Sequence, residues 1–233
     1  MNLTTATLET CSLHTGVVVV IDVLRAFTTA AFAFHQGVQD ILLTSTIEEA
    51  LALRERFPGS LCMGEVYGIR PPEFDLGNSP AELDGLDLSG RRLIHRTTAG
   101  TQGAVRSVNA QLLYAASFVV ASATARAIRA AGNAGHGQPG EVCFVITGIR
   151  DPYEGDEDQA CADYISTLLR DEKPEPAPYL ARVRASGTGK RFVHAPGEEF
   201  AARDLDYATA LDRFDFALQI HREDGLLVMR PVR

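Results

Sequence analysis

A chain of 233 residues, 45% hydrophobic and 22% charged, is long enough for one large α/β domain and has the makeup of a globular protein, which excludes disorder across its body. Its formal net charge of −8, with no basic run, argues against a nucleic-acid or anionic-membrane surface, so an anionic ligand would be held locally. No segment approaches the roughly 18 consecutive apolar residues of a membrane span, and Met1–Gly16 has neither the basic region nor the apolar core of a signal peptide, so a cytoplasmic protein is expected.

Val17-Val18-Val19-Val20-Ile21 reads as a strand buried on both faces, as in a parallel sheet. It runs into Asp22 and Arg25 just where a helix begins, and open α/β sheets hold ligands at the carboxyl ends of such strands. Asp22 either caps that helix or does chemistry; Arg25 is either solvated or its partner. The Ala/Phe-rich helix Phe27–Gln36 stops at Gly37. Val38–Thr44 is a short strand, and Thr46-Ile47-Glu48-Glu49 is a capping box whose helix runs to Phe57 and stops at Pro58-Gly59. Leu61–Glu65 is a third strand that again closes on a carboxylate.

The connection from Val66 to about Asp87 far exceeds the usual loop of about 4–6 residues, a sign of function. It carries Glu73-Phe74-Asp75-Leu76-Gly77-Asn78-Ser79-Pro80, in which Ser79-Pro80-Ala81-Glu82 reads as the start of a short helix, presenting Asp75 and Asn78. Arg91–Arg96 is a strand that enters Thr97-Thr98-Ala99-Gly100-Thr101-Gln102-Gly103 ahead of a helix over Ala104–Ala110. Hydroxyls, glycines and free amides at a helix start suit a phosphate, or make an ordinary capped turn. No Gly-Lys-Ser/Thr follows, so this is not a Walker loop.

Gln111–Ala116 is a strand and Val119–Ala131 a helix with one apolar face. Gly132–Gly140 is Gly-rich and would hinge two lobes, 1–132 and 141–233, around a cleft. Glu141–Gly148 repeats the pattern of an apolar strand leaving into a loop. Asp151, Glu154, Asp156, Glu157 and Asp158 precede or open a helix to about Arg170; they offset its dipole, or Glu157 and Asp158 help hold a hard cation such as Mg²⁺. Lys173–Pro178 reads as a stiff connector and Ser186–Lys190 as a flexible turn, its Lys190 solvated or reaching a phosphate. Glu198–Leu211 reads as helical, and Phe214–Ile220 and Leu226–Val232 as a hairpin about Glu223-Asp224-Gly225. The element order predicts a three-layer α/β/α fold with a mostly parallel sheet. Cys11, Cys62, Cys143 and Cys161 lack metal or disulfide spacing and read as buried hydrophobes; of the histidines only His95 adjoins a candidate site.

Four motifs taken together, Asp22-Val23-Leu24-Arg25-Ala26, Phe74-Asp75-Leu76-Gly77-Asn78-Ser79-Pro80, Thr97-Thr98-Ala99-Gly100-Thr101 and Glu157-Asp158 with Ala162 behind, resemble the signature of the 2-phosphosulfolactate phosphatase family over nearly the whole chain. The resemblance implies a Mg²⁺-dependent phosphatase that converts 2-phosphosulfolactate to sulfolactate and phosphate, a step of coenzyme M biosynthesis, and is compatible with a homodimer. It makes Asp22, Arg25, Glu65, Asp75 and Asn78 the catalytic candidates, Ser79, Thr97, Thr98, Gly100 and Thr101 the phosphate-binding ones, and Asp22, Glu157 and Asp158 the metal ligands.

Three positions depart from the family pattern. Val66 stands where an arginine is usual, with Arg70 as a substitute cation; Ala99 replaces an asparagine; and Asp163 replaces a glycine. Val66 and Ala99 motivate a second reading, a member that binds a small anion without turnover. An aspartyl phosphatase of the haloacid-dehalogenase type is excluded, because Leu24 occupies the place of its second aspartate.

Overall fold

The computed structural model describes residues 1–133, 140–150, 153–194, 197 and 199–233. In chain order the strands and helices are β1 (Asn2–Ala6), β2 (Val17–Ile21), α1 (Ala26–His35), β3 (Asp40–Thr44), α2 (Ile47–Arg56), β4 (Leu61–Gly64), β5 (Arg92–Arg96), α3 (Gly100–Arg106), β6 (Leu112–Ala116), α4 (Ala121–Asn133), β7 (Glu141–Ile146), the short pair β8 (Ile149–Arg150) and β9 (Tyr153–Glu154), α5 (Asp156–Leu169), α6 (Pro176–Ala185), α7 (Gly187–His194), α8 (Asp204–Ala208), β10 (Ala217–Glu223) and β11 (Leu226–Val232). Nine strands form one sheet in the order β1-β7-β2-β6-β10-β11-β3-β5-β4. Five of its pairings are parallel, and the β10–β11 hairpin is antiparallel to β6 on one side and β3 on the other.

Alternation along the buried strands divides the core. Val18 and Val20 of β2, Ile41 and Leu43 of β3 and Leu93 of β5 join the Ala/Phe face of α1 in one cluster. Val17, Val19 and Ile21 point the other way, toward α4 and α5. Leu42 and Ile94 pack on α2. The result is three layers, with α1 so enclosed that nine of its ten residues are buried. The hairpin turns at Asp224-Gly225, both with positive φ (49° and 78°), as an Asp-Gly loop requires.

That hairpin changes where strand ends point. Its three antiparallel steps make β3, β5 and β4 run opposite in sense to β2, β6 and β7. The exits of β2 and β5 nevertheless meet at the start of α1, where a Cβ added to Gly100 would come 2.7 Å from both Ala26 Cβ and Asp22 Oδ2.

Several local expectations are corrected. α3 starts at Gly100 and ends at Arg106, earlier than the expected 104–110. The supposed stiff connector already belongs to α6 from Pro176; prolines are tolerated in a first helical turn, whose N–H groups have no intrahelical partner. The supposed flexible turn at 186–190 is the cap and first turn of α7. Ser186 Oγ accepts the Gly189 N–H (2.9 Å), and a side chain at 189 would collide with Val183 O at 2.0 Å, so that glycine serves close packing on α6. Among the described residues between Gly197 and Leu211 the helix is α8, and Gly197 and Phe200 pair as an isolated bridge. β1 was not anticipated. Of the expected hinge Gly132–Gly140, Gly132 and Asn133 belong to α4, and residues 134–139, like Asp151 and Glu198, lie outside the described residues. The four cysteines are unpaired and buried, and no helix among the described residues is long and apolar enough to cross a membrane.

Candidate active site

β2 delivers its carboxylate into a pocket of about 50 Å³, lined by Asp22, Leu24, Arg25, Glu65, Gly68, Asn78, Thr98, Ala99, Thr188, Arg191, Phe192 and Phe200. Asp22 is buried, and its Oδ1 accepts the Ala26 N–H (2.9 Å). Burial pushes its carboxyl up to about 7; the charges of Glu65 and Glu157 add to the rise, while hydrogen bonds from the Ala26 and Gly100 amides oppose it. The head of α3, expected to cradle phosphate, packs against Asp22 at Gly100.

Arg25 opens α1 with 3% of its side chain exposed, and its Nη1 donates to Asp204 Oδ2 at 2.6 Å. The Phe192 and Phe200 rings lie 5.0 and 5.4 Å from its guanidinium carbon. Asp204 is fully buried and also accepts Ser79 Oγ–H (2.7 Å) and the Ala81 N–H (3.1 Å). Ser79, read as a phosphate ligand, instead fixes the anion that fixes Arg25.

Glu65 accepts the Thr98 and Gly68 N–H groups and the Thr98 hydroxyl, tying together two loops of the pocket wall. Thr97 and Thr101 hydrogen-bond each other's amide and hydroxyl groups (2.8–3.4 Å) and are fully buried, a reciprocal cap. Thr98 and Ala99 are therefore the members of that motif that face the pocket. Asn78 lines it too, its Oδ1 accepting from His95 Nε2 at 3.3 Å, which leaves its amide N–H₂ as a donor. Burial pushes His95 down to about 3, so it is a neutral support behind Asn78.

Asp75 is not brought to the pocket. The segment around it pairs with β4, where the Asp75 N–H donates to Cys62 O (3.0 Å), and its Oδ2 accepts the Cys62 N–H (2.8 Å) beside Arg54 (3.5 Å). Its side chain is 37% exposed. An Asp75→Asn variant should keep kcat within about twofold and lose about 1 kcal/mol of stability, as one partly exposed hydrogen bond and ion pair imply; steady-state kinetics and a urea melt check both.

The acidic helix start lies alongside. Asp158 crosslinks two strand ends, with Oδ1 accepting the Val23 N–H (2.9 Å) and Oδ2 accepting the Gly148 N–H (2.8 Å) and the Thr147 hydroxyl (3.2 Å). Its carboxyl is raised by burial and by the charges of Glu157 and Asp22. Glu157 is also buried and lines an adjoining cavity with Glu154, Asp156, Thr188 and Lys190; Thr188 lines both spaces. Among the described residues no three His, Cys, Asp or Glu side chains form a ready metal cluster. The donors nonetheless suit Mg²⁺, which takes oxygen ligands and commonly uses one or two carboxylates plus substrate phosphate. Asp22 and Glu157 answer to that pattern, whereas hydrogen bonds already engage both oxygens of Asp158.

The departures also find their places. Arg70 pairs with Glu82 (3.2 Å) and does not line the pocket, so it is no substitute for the cation absent at Val66. Asp163 pairs with Arg182 of α6 (2.7 Å), again outside the pocket. Ala99 is in the wall. Sequence reading missed Arg191, Thr188, Phe192, Phe200 and Asp204, all from the C-terminal third.

The family profile for 2-phosphosulpholactate phosphatase matches residues 3–221. A probable 2-phosphosulfolactate phosphatase of Bacillus subtilis is 32% identical over 208 residues, covering 89% of this chain and 87% of its own. One from Carboxydothermus hydrogenoformans is 34% identical, covering 93% and 91%. One from Deinococcus radiodurans is 47% identical over 114 residues, 48% of each chain.

Proposed function

The chain belongs to the 2-phosphosulfolactate phosphatase family, and from that membership we propose that it is a Mg²⁺-dependent phosphatase of a small phosphorylated hydroxy acid, 2-phosphosulfolactate or a related compound. The observation that carries this reading is the pairing, in one pocket, of a buried carboxylate at the end of β2 with a buried arginine at the start of α1. Hydrolysis gives the water oxygen to phosphorus and a proton to the leaving alkoxide. Arg25 meets the phosphoryl oxygens, its plane set by Asp204 and two aromatic rings. Asp22, whose carboxyl sits at about 7, exchanges a proton readily near neutral pH; ionised, it would hold the metal with Glu157. Bound Mg²⁺ would supply charge neutralisation on the phosphoryl group. The Asn78 amide and the Thr98–Ala99 wall orient the substrate.

Phosphate release from 2-phosphosulfolactate should require Mg²⁺ and cease in chelator. Full activity in chelator would remove the metal from this scheme. Ala99, which puts a methyl group in the wall, favours a second reading in which the pocket only binds; saturable sulfolactate binding with no phosphate released from any phosphorylated hydroxy acid would establish it.

A further inference from the structure

We propose that Arg191, with Thr188 on the same face of α7, determines specificity by receiving the substrate's second acidic group, the carboxylate or sulfonate remote from the phosphoryl group. This rests on the phosphatase reading.

Thr188 and Arg191 are three residues apart on α7, so they share a helix face, and both line the pocket. The Arg191 guanidinium carbon lies 4.4 Å from the centre of the Phe200 ring, and that of Arg25 lies 5.4 Å from the same centre. The two guanidinium carbons are therefore at most about 10 Å apart, beside one shared ring. A three-carbon acid phosphorylated on its middle carbon spreads its charged groups about 4–5 Å apart, a span that two guanidinium groups at that separation can grip from either end. The ends are unlike. Arg25 is locked by Asp204 and two rings, as a group meeting the reacting phosphoryl must be, whereas Arg191 comes from α7, which reaches the strand-end machinery only through the Phe192 ring against Arg25.

Charge makes the same assignment. Asp22 and Glu65 are the acids of this wall, and Asp204 already balances Arg25. A multiply anionic substrate needs another cation, and neither Val66 nor Arg70, which does not line the pocket, supplies it. Arg191 is the second arginine of the pocket. It enters from α7, whose fit against α6 depends on Gly189.

The test is steady-state phosphate release with Mg²⁺ by wild type, R191Q and R191K, on 2-phosphosulfolactate and on glycerol 2-phosphate, which has the ester but no acid. R191Q should lose about 10- to 100-fold more kcat/KM on the first substrate than on the second, the size of one charge-assisted contact. The excess should appear in KM, with R191K between. Phospholactate, which lacks only the sulfonate, then identifies which acid Arg191 holds. Equal losses on both esters, or an excess confined to kcat, would overturn the assignment; R191K carries the test if R191Q does not fold. A wild type inactive on both esters instead refutes the phosphatase reading, and calorimetric titration with sulfolactate then decides for Arg191: weaker binding by R191Q supports its role, and equal binding ends it.

Discussion

Replacing Asp22 with asparagine should lower phosphate release by about 10²–10⁴-fold, the usual worth of a positioned proton-transfer carboxylate, and should at the same time make the metal-free protein more stable above neutral pH. The second effect follows from the first group's surroundings. Burial beside Glu65 and Glu157 raises its carboxyl from 3.8 to about 7. A carboxyl held higher in the folded state than in the unfolded one stabilises the fold in its protonated form. That contribution is whole below about pH 3.8 and is lost as pH rises through about 7. Asparagine keeps the shape and an acceptor for the Ala26 N–H but never ionises, although it presents an amide N–H₂ where Gly100 N–H needs an acceptor. The balance favours the variant by about 1–3 kcal/mol at pH 8 and by less at pH 5. Thermal unfolding in chelator at the two pH values reads this directly. A variant less stable than wild type at pH 8 would mean that the Asp22 charge is not a burden on the fold.

What the sequence disclosed of this site divides by the range of the interaction. Four valines and an isoleucine announce β2, because a strand buried on both faces needs no partner to be recognised. Thr46 accepts the Glu49 N–H at 3.1 Å, as its capping box requires, and Asp224-Gly225 turns its hairpin, since both devices close within four residues. Hydroxyl and carboxylate side chains misled. Thr97, Thr101 and Ser79 look like phosphate ligands in a list of residues, yet each finds a buried protein partner, two of them in each other. Asp75 has the composition of a catalytic residue and the position of a strand-edge cap. The reverse error hid Arg191: Ser186-Gly187-Thr188-Gly189 has the composition of a loop, and only the 2.0 Å approach of Val183 O explains why a helix there uses glycine. Asp204 had no local mark, because its partners Arg25 and Ser79 are 179 and 125 residues away. A mostly parallel sheet was expected; the inserted antiparallel hairpin reverses β3, β5 and β4 relative to β2, β6 and β7, a fact of topology that no segment states alone.

Asp204→Ala should be the most damaging single change to the fold around the site. It leaves Arg25, 3% exposed, with no counter-charge, and strips the Ser79 hydroxyl and the Ala81 N–H of their acceptor. Breaking one side of a buried ion pair costs about 3–5 kcal/mol, much of it from the charge left behind. The urea midpoint should fall with the slope unchanged, and Asp204→Asn, which keeps an acceptor but not the charge, should fall less. Activity distinguishes this pair from the second arginine. If Arg25 faces the phosphoryl group common to every ester, as proposed, then in conditions where Asp204→Asn remains folded its kcat/KM should drop by a similar factor on 2-phosphosulfolactate and glycerol 2-phosphate. Arg25→Lys should not recover the loss, because an ammonium cannot hold the Asp204 contact and a phosphoryl oxygen in one plane between two rings. A drop confined to 2-phosphosulfolactate would move Arg25 from the phosphoryl end of the pocket to the acid end and exchange the roles of the two arginines.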